Sequence, residues 1–194
     1  MTGRQKELLE LLVKSGANLY ALLTRLTLRE DVAEELMQEL FIKLNKTNRF
    51  DKVRNRYAYA RKTAINIAFE WRRNRKLNRV GLDQISEPAS NDSSPLNKLI
   101  RTEELEEILN AIAKLNKVPR EVFVMRYIQQ KPYDYIAEQL GKTVHNIRAL
   151  CSRALIRIRY ILERNHSQSF VKETNNVKNR RQPNPRPAQT PLTD

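Results

Sequence analysis

The chain has 194 residues, of which 36 are Lys or Arg and 22 are Asp or Glu, and its formal net charge is +14. This surplus predicts a polyanionic partner. With 4 Gly and 40% hydrophobic residues, spaced three and four apart, the sequence favours an all-α protein. The single Cys excludes an internal disulfide framework, and no apolar run approaches the roughly 18 residues of a membrane span. The N-terminus lacks the apolar core of a signal peptide, so we expect a cytoplasmic protein without membrane insertion.

The first predicted feature is an acidic helix. A helix over 19–28 is followed, after Arg29, by a second helix with apolar residues on one face and polar residues on the other. Residues 27–45 hold five acidic and two basic residues. This predicts a surface for a basic partner, the alternative being a solvated helix face. The predicted buried positions are Val32, Ala33, Leu36, Met37, Leu40, Phe41 and Leu44, and the exposed ones are Glu34, Glu35, Gln38 and Glu39.

The charge reverses in residues 46–79, which hold twelve basic and two acidic residues. An aromatic loop leads there into a helix flanked by Arg and Lys. Basic residues interleaved with aromatic ones suit single-stranded nucleic acid, because bases stack on rings while phosphates are neutralised. For Phe50 and Trp71 we expect burial in the core instead. The apolar positions of the helix are Ala60, Ala64, Ile67, Ala68 and Trp71, framed by Arg61, Lys62, Arg72, Arg73, Arg75 and Lys76.

The second half of the chain is separated from the first by a predicted linker. Residues 80–98 have two prolines, four serines and no helical period. A helical block then starts near Leu99, with glutamates in an early turn that favours negative charge, and Pro119 marks a further helix start. Beyond Asn165 the chain has four prolines and few apolar residues. We therefore predict a helical domain over 1–79, a flexible linker over 80–98, a second helical domain over 99–165 and a disordered basic tail over 166–194.

Residues 132–159 have the pattern of a helix-turn-helix. Gly141 supplies the positive φ that lets the chain turn without a steric clash of a Cβ atom. Residues 141–165 hold six Lys or Arg and one acidic residue, as binding to a phosphate backbone requires. In this motif the second helix enters the DNA major groove. The inward residues are predicted to be Ile136, Ala137, Leu140, Val144, Ile147, Cys151, Leu155, Ile158 and Leu162, and the reading face His145, Arg148, Ala149 and Ser152.

These segments together resemble one family. The chain is similar to the bacterial RNA polymerase sigma factors of the extracytoplasmic-function group, which retain only the domains called regions 2 and 4. Three strings carry the resemblance, in chain order AEELMQELFIKL, TAINIAFEWRR and YDYIAEQLGKTVHNIRALCSRALIRIR. They are similar to the family's AEDLVQETFLRL, IARNLAIDHLRR and YEEIAEILGIPVGTVKSRLHRARKKLR. The resemblance spans residues 19–162 and implies two small helical domains, regions 2 and 4.

The resemblance implies a role for each matching position. The family would bind core RNA polymerase, open the minus ten promoter element and read the minus thirty-five element, without a cofactor, a metal or catalysis of its own. An anti-sigma factor commonly restrains such proteins, so we expect one here. The implied polymerase contacts are Glu35, Gln38 and Glu39; the minus ten contacts are Arg54, Arg56, Tyr57, Arg61, Lys62, Asn66, Arg72 and Arg73; and the minus thirty-five contacts are His145, Asn146, Arg148, Ala149, Ser152, Arg153 and Arg157.

Three positions depart from the family pattern. Leu150 and Ile65 stand where the family often has Arg, and His145 stands where it often has Gly. The promoter sequence therefore cannot be carried over from the family.

Two other classes of protein remain as alternatives. A helix-turn-helix regulator would bind an operator without recruiting polymerase, and it would tolerate reversed charges on the acidic helix. A nuclease is a poor fit, because the acidic residues lack a histidine partner for a metal, and His145 and Cys151 lie six apart, off register on a helix. We expect Cys151 to be a small core residue.

Overall fold

A computed structural model of the protein describes residues 3–47, 50–78 and 95–179, and the regular structure within these ranges is helical, with no β-strand. The all-α fold with two helical units is confirmed. A 3₁₀ turn over Phe50–Lys52 precedes the third helix, and a π-helical turn over Val124–Ile128 follows the fifth. The helices are α1 (Gly3–Thr27), α2 (Glu30–Lys46), α3 (Arg56–Asn78), α4 (Pro95–Ala113), α5 (Lys117–Phe123), α6 (Tyr133–Leu140) and α7 (Val144–Asn179).

Helices α1, α2 and α3 pack around a leucine-rich core. The α1–α2 corner forms at Leu28, whose φ is 60°, and the buried Thr27 hydroxyl accepts a hydrogen bond from the Arg29 backbone N–H at 3.3 Å. The sequence prediction for α2 was wrong at Phe41, which is 39% exposed. It also placed the start of α1 too late. The buried residues of α2 are Val32, Ala33, Leu36, Leu40 and Leu44, as expected.

The two aromatic residues expected in the core differ in burial. Phe50 is fully buried, which confirms the prediction. Trp71 is partly buried, and the Arg75 guanidinium carbon lies 5.2 Å from its ring centroid. One edge of Trp71 therefore reaches the surface between α2 and α3.

Two segments predicted to lack structure are helical. Helix α4 begins at Pro95, inside the predicted linker, because proline fits the first helical position, where its missing N–H is not needed. Helix α7 continues over residues 166–179, which were predicted to be disordered, because extending an existing helix costs far less than starting one. The rest of the predicted linker and tail, 80–94 and 180–194, lies outside the described residues.

The helix-turn-helix has a small core of its own. Gly141 ends α6 with a φ of 60° and a ψ of 41°, as predicted. Cys151 is 1% exposed in this core, and burial raises the pKa of its thiol, which confirms a packing role. The predicted stripe on α7 was wrong at Leu155, which is 42% exposed, because its neighbour Ala154 takes the inward position. The members of this core are Val122, Met125, Ile136, Ala137, Ile147 and Cys151.

The two helical units are not packed independently. Residues of α4, α5 and α7, among them Leu109, Ile112, Phe123 and Ile158, belong to the same buried cluster as the leucines of α1 and α2. Helix α3 lies at the junction, since it contacts α1 and α2 as well as α4 and α5. In the part of the chain that is described, no helix is long and apolar enough to cross a membrane.

Candidate functional site

The acidic face of α2 borders a groove. Glu34, Glu35 and Gln38 are exposed and Glu39 is partly exposed, as predicted. The groove, about 720 Å³ in volume, lies between α2 and α3. Its wall includes Glu35, Glu39 and Glu70 together with apolar atoms of Leu36, Ile67 and Trp71.

Basic side chains along this groove limit its negative charge. Lys43 Nζ lies 2.6 Å from a Glu39 oxygen and 3.9 Å from a Glu70 oxygen. Arg29 hydrogen-bonds to Asp31 and lowers the pKa of that carboxyl group. Glu35 is therefore the carboxylate of this face best placed for a basic partner, since among the described residues Glu39, Glu70 and Asp31 have ion pairs and Glu35 has none.

The predicted minus ten residues fall into two groups. Arg54, Lys62 and Arg73 are exposed. Arg56 is partly buried, and its Nη2 atom lies 2.9 Å from a Glu7 oxygen on α1. The remaining partly buried members are Tyr57 and Asn66, and burial raises the pKa of Tyr57.

Arg61 and Arg72 were expected to frame the apolar face of α3, but the structure buries both. Arg61 is 1% exposed and Arg72 is 3% exposed. They lie on a second buried stripe of α3 together with Ile65 and Phe69, at helical steps of four and three. The sequence predicts one buried side of α3, whereas the helix packs against other helices on two sides. In the described conformation neither guanidinium group faces solvent, and the assignment of both to DNA stays a prediction.

The partners of these arginines could not be singled out from the sequence. Arg72 donates from Nη1 to a Glu106 oxygen at 2.7 Å and from Nε to the Leu26 carbonyl oxygen. Arg75 Nη1 donates to the other oxygen of Glu106 at 3.3 Å. Glu106 belongs to a run of glutamates with nothing in the sequence to distinguish it.

Glu121 and Arg120 were also missed. Glu121 is 4% exposed, and one of its oxygens lies 3.9 Å from Arg61 Nη2. Loss of hydration raises the pKa of Glu121, an effect that nearby Lys62 and Arg61 oppose. Arg120 donates to the Ala113 and Leu115 carbonyl oxygens and lies 5.1 Å from the Phe69 ring centroid on α3. The signal available in the sequence was that these charged residues are followed directly by the apolar run Val122 to Met125.

The residues predicted to form the reading face of the helix-turn-helix lie at the surface. Thr143 accepts a hydrogen bond from the Asn146 N–H at 3.2 Å, which caps the start of α7. Arg148 lies 5.5 Å from the Tyr133 ring centroid. Arg153 and Arg157 border a second pocket together with Lys114. The exposed residues of this face are His145, Asn146, Arg148, Ser152, Arg153 and Arg157, and Ala149 is partly exposed.

Comparison with known proteins agrees with this arrangement. Residues 105–158 match the family model "Sigma-70, region 4". The chain is 29% identical over 134 residues to the RNA polymerase sigma-E factor of Streptomyces avermitilis, covering 68% of this chain and 71% of that one. It is 30% identical over 106 residues to the RNA polymerase sigma-E factor of Streptomyces antibioticus, covering 55% of this chain and 56% of that one.

The resemblance to extracytoplasmic-function sigma factors is confirmed. Helix α6 and the part of α7 up to Ile158 lie within the residues that match region 4. A solved structure of the sigma factor RpoE with the anti-sigma factor NepR from Bartonella quintana matches at 22% identity and a TM-score of 0.45, covering 81% of this chain and 98% of that one. The roles of individual residues stay predictions.

Proposed function

We propose that this chain is a promoter-specificity subunit of RNA polymerase. It would bind core polymerase, recognise the minus ten and minus thirty-five promoter elements and direct transcription initiation in the cytoplasm. The observation that carries the proposal is the pairing, in one chain, of an exposed basic face inside a region 4 match with exposed glutamates of α2 beside a groove on the other unit. A helix-turn-helix regulator needs the first of these surfaces but not the second.

The polymerase contact is assigned to α2. Glu35 and Glu39 line the groove together with Leu36, Ile67 and Trp71, and Gln38 is exposed on the same helix. A basic surface of the partner would gain complementary charge at the two glutamates and apolar contact at the Trp71 ring.

The two DNA contacts are assigned to α3 and α7. The exposed Arg54, Lys62 and Arg73 would neutralise phosphates while Tyr57 and Asn66 meet unpaired bases of the minus ten element. The N-terminal turns of α7 would enter the major groove of the minus thirty-five element. We propose regions 1–79 and 99–165 as the domains that make these contacts, and an anti-sigma factor as the protein that restrains them. The chain itself would supply binding and no catalysis.

Replacement of Glu35 and Glu39 by Lys tests the polymerase contact. Reversing the two charges should weaken binding to core polymerase about tenfold or more, because attraction to a basic surface becomes repulsion. Affinity is measured by fluorescence titration of labelled chain with core enzyme. The matched control replaces Glu10 and Glu163, which are exposed elsewhere, and changes the net charge equally.

The two double variants separate a specific surface from general charge. If both bind core polymerase as tightly as the parent, the acidic face is only solvated and the proposal loses its polymerase contact. If both lose affinity equally, the effect is one of net charge, and the surface must be sought elsewhere.

A further inference from the structure

One aromatic side chain lies beside the reading face of the helix-turn-helix. Tyr133 is the first residue of α6 and is partly buried against the small core of that motif. Its ring centroid lies 5.5 Å from the guanidinium carbon of Arg148 and 4.6 Å from that of Arg126. Both distances are within the roughly 6 Å over which the face of an aromatic ring attracts a cation. Tyr133 therefore links the first helix of the motif to a side chain that the second helix presents to solvent.

The ring of Tyr133 is itself anchored on α7. Burial raises the pKa of the Cys151 thiol, and hydrogen bonds with Tyr127 and Tyr133 oppose that rise. Cys151 is buried in the core of the motif, three residues after Arg148 on the same helix. The hydroxyl end of Tyr133 is thus held by the buried side of α7, while its ring lies against the exposed Arg148. The ring forms a fixed surface against which the guanidinium group can rest.

The orientation of Arg148 matters for reading a base. Arg148 is long and exposed, and fixing such a side chain on binding costs conformational entropy. A group that already has its bound conformation avoids much of that cost. A guanine edge takes two N–H groups of the guanidinium fork at once, so the direction of the fork decides discrimination as much as its charge does. A residue that fixes this direction therefore affects which base is read.

We infer that Tyr133 is a positioning residue, which orients the Arg148 guanidinium group toward a base edge in the major groove. The inference rests on the proposed function, because it deepens the reading of the minus thirty-five element by α7. The aromatic ring is the required feature, since the ring face and not the hydroxyl attracts the guanidinium group. Tyr133→Phe should therefore preserve the role, and Tyr133→Leu should abolish it.

Base discrimination tests the inference. The full-length chain selects its preferred duplex from a randomised DNA library, and binding is then titrated with that duplex and its single-base variants. Tyr133→Leu should lower discrimination at one base position about two- to fivefold, as expected for the loss of an exposed cation–π contact, and Tyr133→Phe should keep the parental value. The matched control, Tyr135→Leu, makes the same change two residues further on α6, where the ring lies 5.5 Å from Lys131 Nζ. This control should leave discrimination unchanged.

A double-mutant cycle separates positioning from a general loss of structure. If Tyr133 acts through Arg148, Tyr133→Leu should have no effect on discrimination once Arg148 is replaced by Ala. The salt dependence of binding should also stay parental in Tyr133→Leu, because no phosphate contact is removed. An effect of Tyr133→Leu that persists in the Arg148→Ala background, or that weakens binding to all duplexes alike, would overturn the inference.

Nuclear magnetic resonance measures the orientation of Arg148 without DNA. Relaxation of its Nε nucleus reports the order of the side chain, and the signal is assigned as the one absent from Arg148→Ala. We expect this nitrogen to be ordered in the parent and in Tyr133→Phe, and mobile in Tyr133→Leu. Circular dichroism of each variant checks that helix content is parental. If Tyr133→Leu does not fold, the parent alone decides, because a mobile Arg148 there would show that the ring does not hold it.

The two readouts separate this inference from the proposed function. If Tyr133 orders Arg148 but core polymerase gives no transcript with the chain, the proposed function fails and the positioning role stands. If the chain directs transcription while Tyr133→Leu changes neither the order of Arg148 nor base discrimination, the positioning role fails and the proposed function stands.

Discussion

The contribution of Arg72 to folding stability can be worked out from its contacts. Replacement by Ala removes the donor to the Leu26 carbonyl oxygen, and an unsatisfied buried acceptor costs about 1–3 kcal/mol. It also removes the 2.7 Å hydrogen bond to Glu106, which is worth about 1.5–3 kcal/mol as a charge-assisted bond. Because Glu106 keeps Arg75, the full cost of an unpaired buried charge does not apply. We expect Arg72→Ala to lower the free energy of unfolding by about 3–5 kcal/mol.

Arg75 provides the comparison within the same cluster. Its side chain is 20% exposed and its hydrogen bond to Glu106 is longer, at 3.3 Å. Arg75→Ala should therefore lower the free energy of unfolding by only about 0.5–1.5 kcal/mol. In a double-mutant cycle, Arg72 and Glu106 should couple by about 1–3 kcal/mol.

Urea denaturation followed by circular dichroism measures these differences. Both units contribute to one buried cluster, so we expect a single transition with an unchanged slope in the variants. If Arg72→Ala costs no more than Arg75→Ala, then Arg72 is not held between Leu26 and Glu106, and the contact between the two units differs from the one described.

Three further predictions concern DNA reading, backbone conformation and pH. Arg148→Ala should lower the free energy of DNA binding by about 1–3 kcal/mol and relax the preference at one base position. Arg157→Ala should instead weaken binding to all sequences and reduce the slope of the salt dependence by about one. Binding titrations over single-base DNA variants at two salt concentrations measure both effects, and a uniform loss for both variants would contradict the prediction. Gly141→Ala should destabilise the folded protein by about 1–2 kcal/mol, because φ is +60° at this position. Gly16→Ala, inside α1 and equally free of nearby atoms, should stabilise it by up to about 1 kcal/mol. Equal shifts of the two melting temperatures would refute the left-handed turn at Gly141. Burial raises the pKa of Glu121 above the ordinary 4.5, so this carboxyl group stabilises the fold less as pH rises above 4.5. Glu121→Gln should therefore gain stability relative to the parent as pH rises, and parallel unfolding curves of the two proteins would contradict the burial.

Local sequence signals predicted the parts of the fold that depend on one element alone. The turn at Gly141 is predicted because this glycine lies between two segments whose apolar residues repeat with a helical period. The buried face of α2 is predicted from the helical spacing of its own apolar residues. The helical period does not show which of Ala154 and Leu155 faces inward, because the two residues are adjacent and both apolar. The larger one, Leu155, is therefore predicted from the sequence to be buried. The π-helical turn over Val124–Ile128 likewise has no local signal that predicts it.

The contact between the two units could not be predicted in the same way. It depends on Arg61 and Arg72 facing acidic residues of the other unit, and such a pairing leaves no trace in either segment. The apolar spacing of Ile65 and Phe69 did carry a signal for a second buried side of α3. The predicted exposure of Arg61 and Arg72 was wrong, because an arginine that flanks an apolar position is ordinarily expected to face solvent. The ends of α1, α4 and α7 were placed wrongly because helix limits depend on packing as well as on local residues.

Run-off transcription tests the central claim most directly. Core polymerase with and without the chain is incubated with a pool of genomic promoter fragments, and permanganate detects unpaired thymines on the templates that give transcripts. We predict defined transcripts and thymine reactivity near the minus ten element only when the chain is present, with both reduced by the Glu35 and Glu39 replacements. Binding of the chain to promoter DNA without any transcript or strand opening would contradict the claim and identify a regulator that acts without polymerase.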